Sequence, residues 1–295
     1  MSMSSEAAKR GQTPQRIGLG RLKTRAEIVV EYTLLIFFTV CFLIPFFWLV
    51  SESLKSPSEL FEVPMLWWPR VPQWENFALM FTSFPFLKYL KNTLILVAFV
   101  ILGSIISNSL VAYGFARLHW KYRDQVFLLV LVTMVLPFQV TMIPLFLLFR
   151  EFGWVNTFLP LIVPHFFGNA FFIFLLRQFL LGIPFELSDA AKIDGANEFQ
   201  IFLRIITPLT KPVLATIAIF AFLNTWNDFI GPLIYLSDHS KYTLALGAQQ
   251  IMDDLDPKWN ILMALGASMT VPVIFLFFIM QRYFIQGIAM SGIKA

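Results

Sequence analysis

Two groups of polar residues could do chemistry in this chain, and neither is spaced for making or breaking bonds. The first is ELSDAAKIDGANEFQIFLRIITPLTKP, residues 186–212. It holds four acids (Glu186, Asp189, Asp194, Glu198) and three bases (Lys192, Arg204, Lys211), in a chain only 14% charged. The second is Asn224, Thr225, Asn227 and Asp228 around Trp226. An aromatic face beside amides and a carboxylate suits a sugar, which offers a flat apolar face edged by hydroxyls. An interfacial Trp with a wet helix end before Pro232 explains the same residues. Gln139, two residues after Pro137, either lines a cavity opened by a proline bend or bonds the carbonyl that the proline frees. Catalytic patterns are missing. His119, His165 and His239 lie far apart and outside any H-E-x-x-H, so metal and nucleophile chemistry have no foothold. No G-x-x-x-x-G-K-[ST] loop is present to cradle a phosphate.

The elements that must position these residues are membrane spans. The chain is 58% hydrophobic and 17% aromatic, with 34 Phe. Its mean hydropathy is +0.72. The apolar residues fall in runs of about 18 or more, enough to cross a ~30 Å hydrocarbon core. They do not alternate, which favours an all-α bundle over a barrel. Six spans are expected, at about 28–50, 93–115, 125–149, 158–181, 213–236 and 261–284. Pro45 interrupts the first. A basic tail, residues 1–27, precedes them. It reads as a tail before a signal-anchor span and not as a cleaved leader. With the N-terminus inside, 15 of the 22 Lys and Arg fall on inner segments. The bias therefore places both termini and the 186–212 segment in the cytoplasm. Net charge +4 is no sign of nucleic-acid binding in such a protein, and the partner of its surface is the lipid bilayer. The single cysteine, Cys41, excludes an internal disulfide and reads as a small packing residue. Prolines disfavour a regular helix in the loop at 51–91, and Trp67, Trp68 and Trp74 suit the membrane interface. The loop before the last span should be part helical. Ser104, Ser107, Asn108, Ser109, His165 and Asn169 read as packing and hydrogen-bonding groups between helices.

The charged segment predicts helix, turn, helix. Pro184 suits a first turn, and Glu186 and Asp189 complement the N-terminal dipole. Leu187, Ala190 and Ala191 should share one narrow face. Asp194-Gly195 reads as a stop, and Asn197 with Gln200 as a capping box. Phe199, Phe202, Leu203 and Ile206 should line one face of the second helix, closed by Pro208 and Pro212. A membrane-surface role is opposed by the acids, since such helices carry basic faces toward anionic lipid. A plain connector is usually about 2–8 residues. Docking in a partner's groove needs small residues for close approach and charges for register. The residues alone leave connector and docking element both open.

The segment resembles the EAA loop of binding-protein-dependent ABC importer permeases: E-A-A, three residues, Gly, nine residues, I-x-L-P. Here stand Asp189-Ala190-Ala191, Gly195, Ile205 and Pro208. Asp189 and Thr207 depart from the family's Glu and Leu. AYGFARL (112–118), LPFQVTMIPL (136–145), NTWNDFIGPL (224–233) and the terminal QRYFIQGIAMSGIKA resemble the maltose-type sugar permeases of the carbohydrate branch. The resemblance implies a type I importer permease fold in a bacterial or archaeal inner membrane. It implies a heterodimer with a sister permease, two ATPase subunits and an external sugar-binding protein. ATP and Mg would sit on the partners, with no cofactor on this chain, which would not itself be an enzyme. The implied coupling residues are Glu186, Asp189, Ala190, Ala191, Asp194, Gly195, Phe199, Phe202, Ile205 and Pro208. The rivals are an ion-coupled secondary transporter, for which Asp228 and Glu31 are the candidate intramembrane acids, and a membrane scaffold that transports nothing.

Overall fold

The computed structural model describes residues 25–252 and 258–291, with side chains to residue 281. The basic tail up to residue 24, residues 253–257 and the last four residues lie outside this description, as do the side chains of the terminal motif from Arg282 onward. All described regular structure is helical. The chain divides into residues 1–47 and 48–295. In the first unit, residues 25–47 belong to α1 (Arg25–Ser53), which runs on through Pro45 without the expected interruption. Its side chains there are exposed, Cys41 included, so this cysteine does not pack inside the chain.

The second unit contains α2 (Glu75–Ser83) and α3 (Phe86–Ala116). Next come α4 (Arg123–Val132) and α5 (Phe138–Glu151), then α6 (Leu159–Ile162) and α7 (Ala170–Leu181). The charged segment forms α8 (Glu186–Ile193), α9 (Glu198–Ile201) and α10 (Thr207–Leu209). The rest is α11 (Lys211–Trp226), α12 (Ile230–Tyr235), α13 (Leu244–Met252) and α14 (Trp259–Ser291). Among the described residues, four helical stretches are long and apolar enough to cross a membrane, and six if each of two bent pairs counts as one span.

The breaks follow from sequence. The expected third span is folded by 98° between α4 and α5. Pro137 lacks an N–H and forces Leu136 into extended backbone, φ −74° and ψ 113°. The expected fifth span stops at Trp226. There Asn227 turns its amide back to the Leu223 carbonyl at 2.8 Å, and Asp228 accepts from the Gly231 N–H at 3.0 Å. Such side chains compete with the helical ladder, and Pro232 tolerates only the first turn of a new helix. Asn169 caps α7 by accepting from the Phe171 and Phe172 N–H groups. It donates its own N–H to Asn108 at 2.7 Å, while Ser107 donates to the His165 carbonyl at 3.0 Å. Ser107 and Asn108 of α3 therefore fasten the broken stretch between α6 and α7, whereas Ser109 bonds back to the Ile105 carbonyl of its own helix and buried Ser104 Oγ has no hydrogen-bond partner among the described residues.

α3 is the axis of this unit. Its first half enters an apolar cluster with Met80, Phe84, Phe222, Trp226, Leu244 and Leu265. Its second half enters another with Phe172, Leu176, Leu180, Ile201, Ile206 and Ile217. The loop before α2 is not a loose strap. Lys55 is 1% exposed, ion-paired to Glu52 at 2.6 Å and bonded to the Leu66 carbonyl. Asn76 donates to the Ser53 and Lys55 carbonyls and accepts from Asn260. Trp67, Trp68 and Trp74 stay exposed. Part of residues 51–91 is helical after all, since α2 and the first turns of α3 fall there.

Candidate functional site

Residues 184–212 fold about a glycine turn. α8 ends at Asp194, and Gly195 takes φ +83°. The Gly195 N–H donates to Lys192 at 3.0 Å and the Ala196 N–H to Ala191 at 2.9 Å. This pair of bonds closes a helix whose next residue is left-handed. Nothing lies within 4 Å of a Cβ built on Gly195. The turn needs glycine for its backbone and not for space. The capping box forms in both directions, Asn197 to Gln200, at 2.9 Å each way.

The second arm is not closed by its prolines. Pro208 lies in the first turn of α10 and Pro212 in the first turn of α11, positions where a missing N–H is harmless. Upstream, a proline ring presses on the carbonyl four residues back. Residues 202–206 answer by widening into a π turn. The Thr207 N–H and hydroxyl then both reach the Phe202 carbonyl, the hydroxyl at 2.7 Å. Thr207, where the resemblance expects leucine, thus has its own bond to make. The chain turns 77° at Thr210 into α11. Pro184 likewise precedes α8 instead of entering it.

The end of α3 grips both arms. Arg117, 6% exposed, donates to the Ile183 carbonyl at 2.8 Å, the Pro184 carbonyl at 3.0 Å and Ser188 Oγ at 3.3 Å. Its guanidinium lies 4.3 Å over the Phe185 ring. One turn earlier, the Tyr113 hydroxyl donates to Glu198 at 2.7 Å. Glu198 also pairs with Lys192 at 2.7 Å, across the glycine turn. The Lys192 bond, then the Tyr113 bond, hold the Glu198 carboxyl below its usual range. Glu198 in turn raises Lys192. Both side chains are about half exposed, so the ion pair by itself adds little stability. Tyr113 and Arg117 were not singled out from the sequence, although both lie in AYGFARL. The signal was there in the i, i+4 placement of a phenol and a guanidinium at the end of an apolar helix.

Two faces result. Ser188, Ala191, Ile201, Phe202 and Ile206 are buried, with Ile205 packed against the same cluster. Leu187, Ile193, Phe199 and Leu203 are exposed, Ile193 to 88%. Glu186, Asp189, Ala190, Asp194, Gly195 and Pro208 are exposed as well. The expected grouping is therefore corrected. Leu187 and Ala190 are exposed while Ala191 is buried, and Phe199 and Leu203 are exposed while Phe202 and Ile206 are buried, although the Phe199 ring still lies 6.5 Å from that of Phe202. A helical stripe read from spacing cannot say which residues the rest of the bundle covers.

The residues around Trp226 are not gathered into a sugar site. Trp226 is 1% exposed, stacked 5.3 Å from Phe222, with its indole N–H on the Met269 carbonyl at 3.2 Å. It is core, neither a sugar platform nor an interfacial ring. The amphipathic pattern misled because the indole N–H finds its partner inside. Asn224 and Asn227 are exposed, and Asp228 is partly covered by its bond to Gly231. Gln139 is exposed in the first turn of α5. No group of His, Cys, Asp and Glu among the described residues could hold a metal.

Residues 108–290 match the family described as the binding-protein-dependent transport system inner membrane component. The match spans both arms of the segment and the α3 turn that grips them. This chain belongs to that family. The permease is 34% identical over 272 residues to the arabinooligosaccharides transport system permease protein AraQ of Bacillus subtilis (strain 168), covering 90% of this chain and 96% of the relative. It is 30% identical over 266 residues to the lactose transport system permease protein LacG of Rhizobium radiobacter, again 90% and 96%. In fold it resembles a bacterial ABC transporter involved in the import of the acidic polysaccharide alginate, with a TM-score of 0.79. That likeness covers 89% of this chain and 99% of the other, at 24% identity. The permease is thus an ABC importer subunit and not an ion-coupled transporter. Membership implies an ATPase and an external binding protein as partners and an inner-membrane setting.

Proposed function

We propose that this permease imports an oligosaccharide or related glycoside, and that residues 184–212 seat in a groove of an ATPase subunit. The observation that carries the coupling role is the set of exposed apolar side chains Leu187, Ile193, Phe199 and Leu203, with exposed Glu186, Asp189 and Asp194, on an element that also buries Ser188, Ala191, Ile201, Phe202 and Ile206. Helix-in-groove docking uses such side chains as anchors and the charges for register. Ala191, Phe202 and Ile205 then hold the element to the bundle. Glu186, Asp189, Ala190, Asp194, Phe199 and the Gly195 turn face the partner. The saccharide reading is supported by the relatives, named for arabinooligosaccharide, lactose and diacetylchitobiose transport.

The full assembly in this reading pairs the chain with a sister permease and two ATPase subunits, which bind ATP and Mg. A sugar-binding protein delivers cargo from outside, with both termini of the permease in the cytoplasm. ATP shifts the spans between inward-open and outward-open states only through its differential affinity for the two. Asn224, Asn227 and Gln139, exposed near helix breaks, are the residues left to line a pathway. The test is Ile193→Asp, in a side chain that supports no packing here. The variant should insert normally and lose ATPase subunits on co-purification. Undiminished co-purification together with normal binding-protein-stimulated ATP hydrolysis would refute the docking role.

A further inference from the structure

We propose that Tyr113 and Arg117 are positioning residues that make α8, α9 and the end of α3 one mechanical body. Force on the exposed face then moves α3 and does not open the Gly195 turn. The proposal rests on the coupling reading above.

The geometry supports a body held from one turn of one helix. Arg117 fixes the entry to α8 through the carbonyls of Ile183 and Pro184 and the hydroxyl of Ser188. Tyr113 fixes α9 through Glu198, and Glu198 is bridged to α8 by Lys192. A left-handed glycine is a natural hinge, with no side chain of its own to lock it. These bonds cross that hinge on both sides. Apolar packing of Ala191, Ile201, Phe202 and Ile206 beneath the arms supplies adhesion, but such contacts are non-directional and permit sliding. Directional bonds fix an angle. Arg117 is also a costly way to hold a helix. It is buried, and its Nε has no hydrogen-bond partner. A well-packed apolar side chain would give adhesion without an unpaired donor, so a charge kept there points to specificity of position.

The test uses the assembled complex with the single cysteine removed (Cys41→Ser). Spin labels are placed at exposed Ile193 on α8 and exposed Leu110 on α3. In the parent, the 110–193 distance should be a single narrow population, unchanged when ATP and vanadate trap the ATPase subunits. With Tyr113→Phe, and separately Arg117→Lys, a second population should appear and grow several-fold on trapping. Combining the two changes should cost more than either. Variants that keep the narrow, unmoved distance overturn the proposal. So does a parent distance that shifts on trapping. The line shape of the Ile193 label separates this failure from that of the underlying reading. If it does not broaden when ATPase subunits join the permease, the docking face itself is wrong. If it broadens in every variant with the distance unmoved, only the clasp is wrong.

Discussion

Replacing Gly195 strains the backbone and nothing else, which makes its consequence calculable. Its φ is +83°, and a Cβ there meets no atom within 4 Å. Leucine would fit in space but would occupy left-handed backbone at a cost of roughly 1–2 kcal/mol, and asparagine, which visits that region more readily, would cost less. A penalty of that size shifts the formed-to-open ratio of the turn by about 5- to 30-fold. The bonds at stake are those from the residue 195 and Ala196 amides to Lys192 and Ala191. Hydrogen exchange at these two amides should accelerate by that factor in Gly195→Leu and by less in Gly195→Asn. Exchange in α3 should be unchanged. In the assembled transporter, binding-protein-stimulated ATP hydrolysis should fall in the same order, leucine below asparagine below glycine, with equal membrane insertion. If the leucine and asparagine variants exchange and hydrolyse alike, backbone strain at the turn is not what sets coupling.

Two further outcomes follow from buried polar contacts. Trp226→Phe removes the bond to the Met269 carbonyl and leaves a void beside Phe222. It should lower stability by about 2–4 kcal/mol, as a thermal shift in detergent. Cargo selectivity should not change, and altered selectivity at unchanged stability would restore a sugar-contact role. Lys55→Met strands Glu52 in a buried site. Breaking one side of such a pair should cost about 3–5 kcal/mol. The double variant with Glu52→Leu should recover much of that loss, and no recovery would mean the pair does not act as one unit.

The sequence alone determined what is local or compositional. Long apolar runs fixed a helical membrane protein, because unsatisfied backbone groups in hydrocarbon leave few alternatives. The spacing of Asp189, Ala190, Ala191, Gly195 and Pro208 marked a segment that lies within the family match. Gly195 and the Asn197–Gln200 cap were legible because turns and caps are set by a few neighbouring residues. What the tertiary structure decided was facing and partnership across long separations. Trp226 looked like a wet aromatic until Met269, far along the chain, took its N–H. Ala191 and Phe202 looked like partner contacts until the fold buried them in one apolar cluster with residues of α3 and α7. Pro208 looked like a helix end until Thr207 and a π turn absorbed it. Tyr113 and Arg117 meet Glu198 and Pro184 from 85 and 67 residues away, a distance no local pattern encodes, and closing it required the folded bundle.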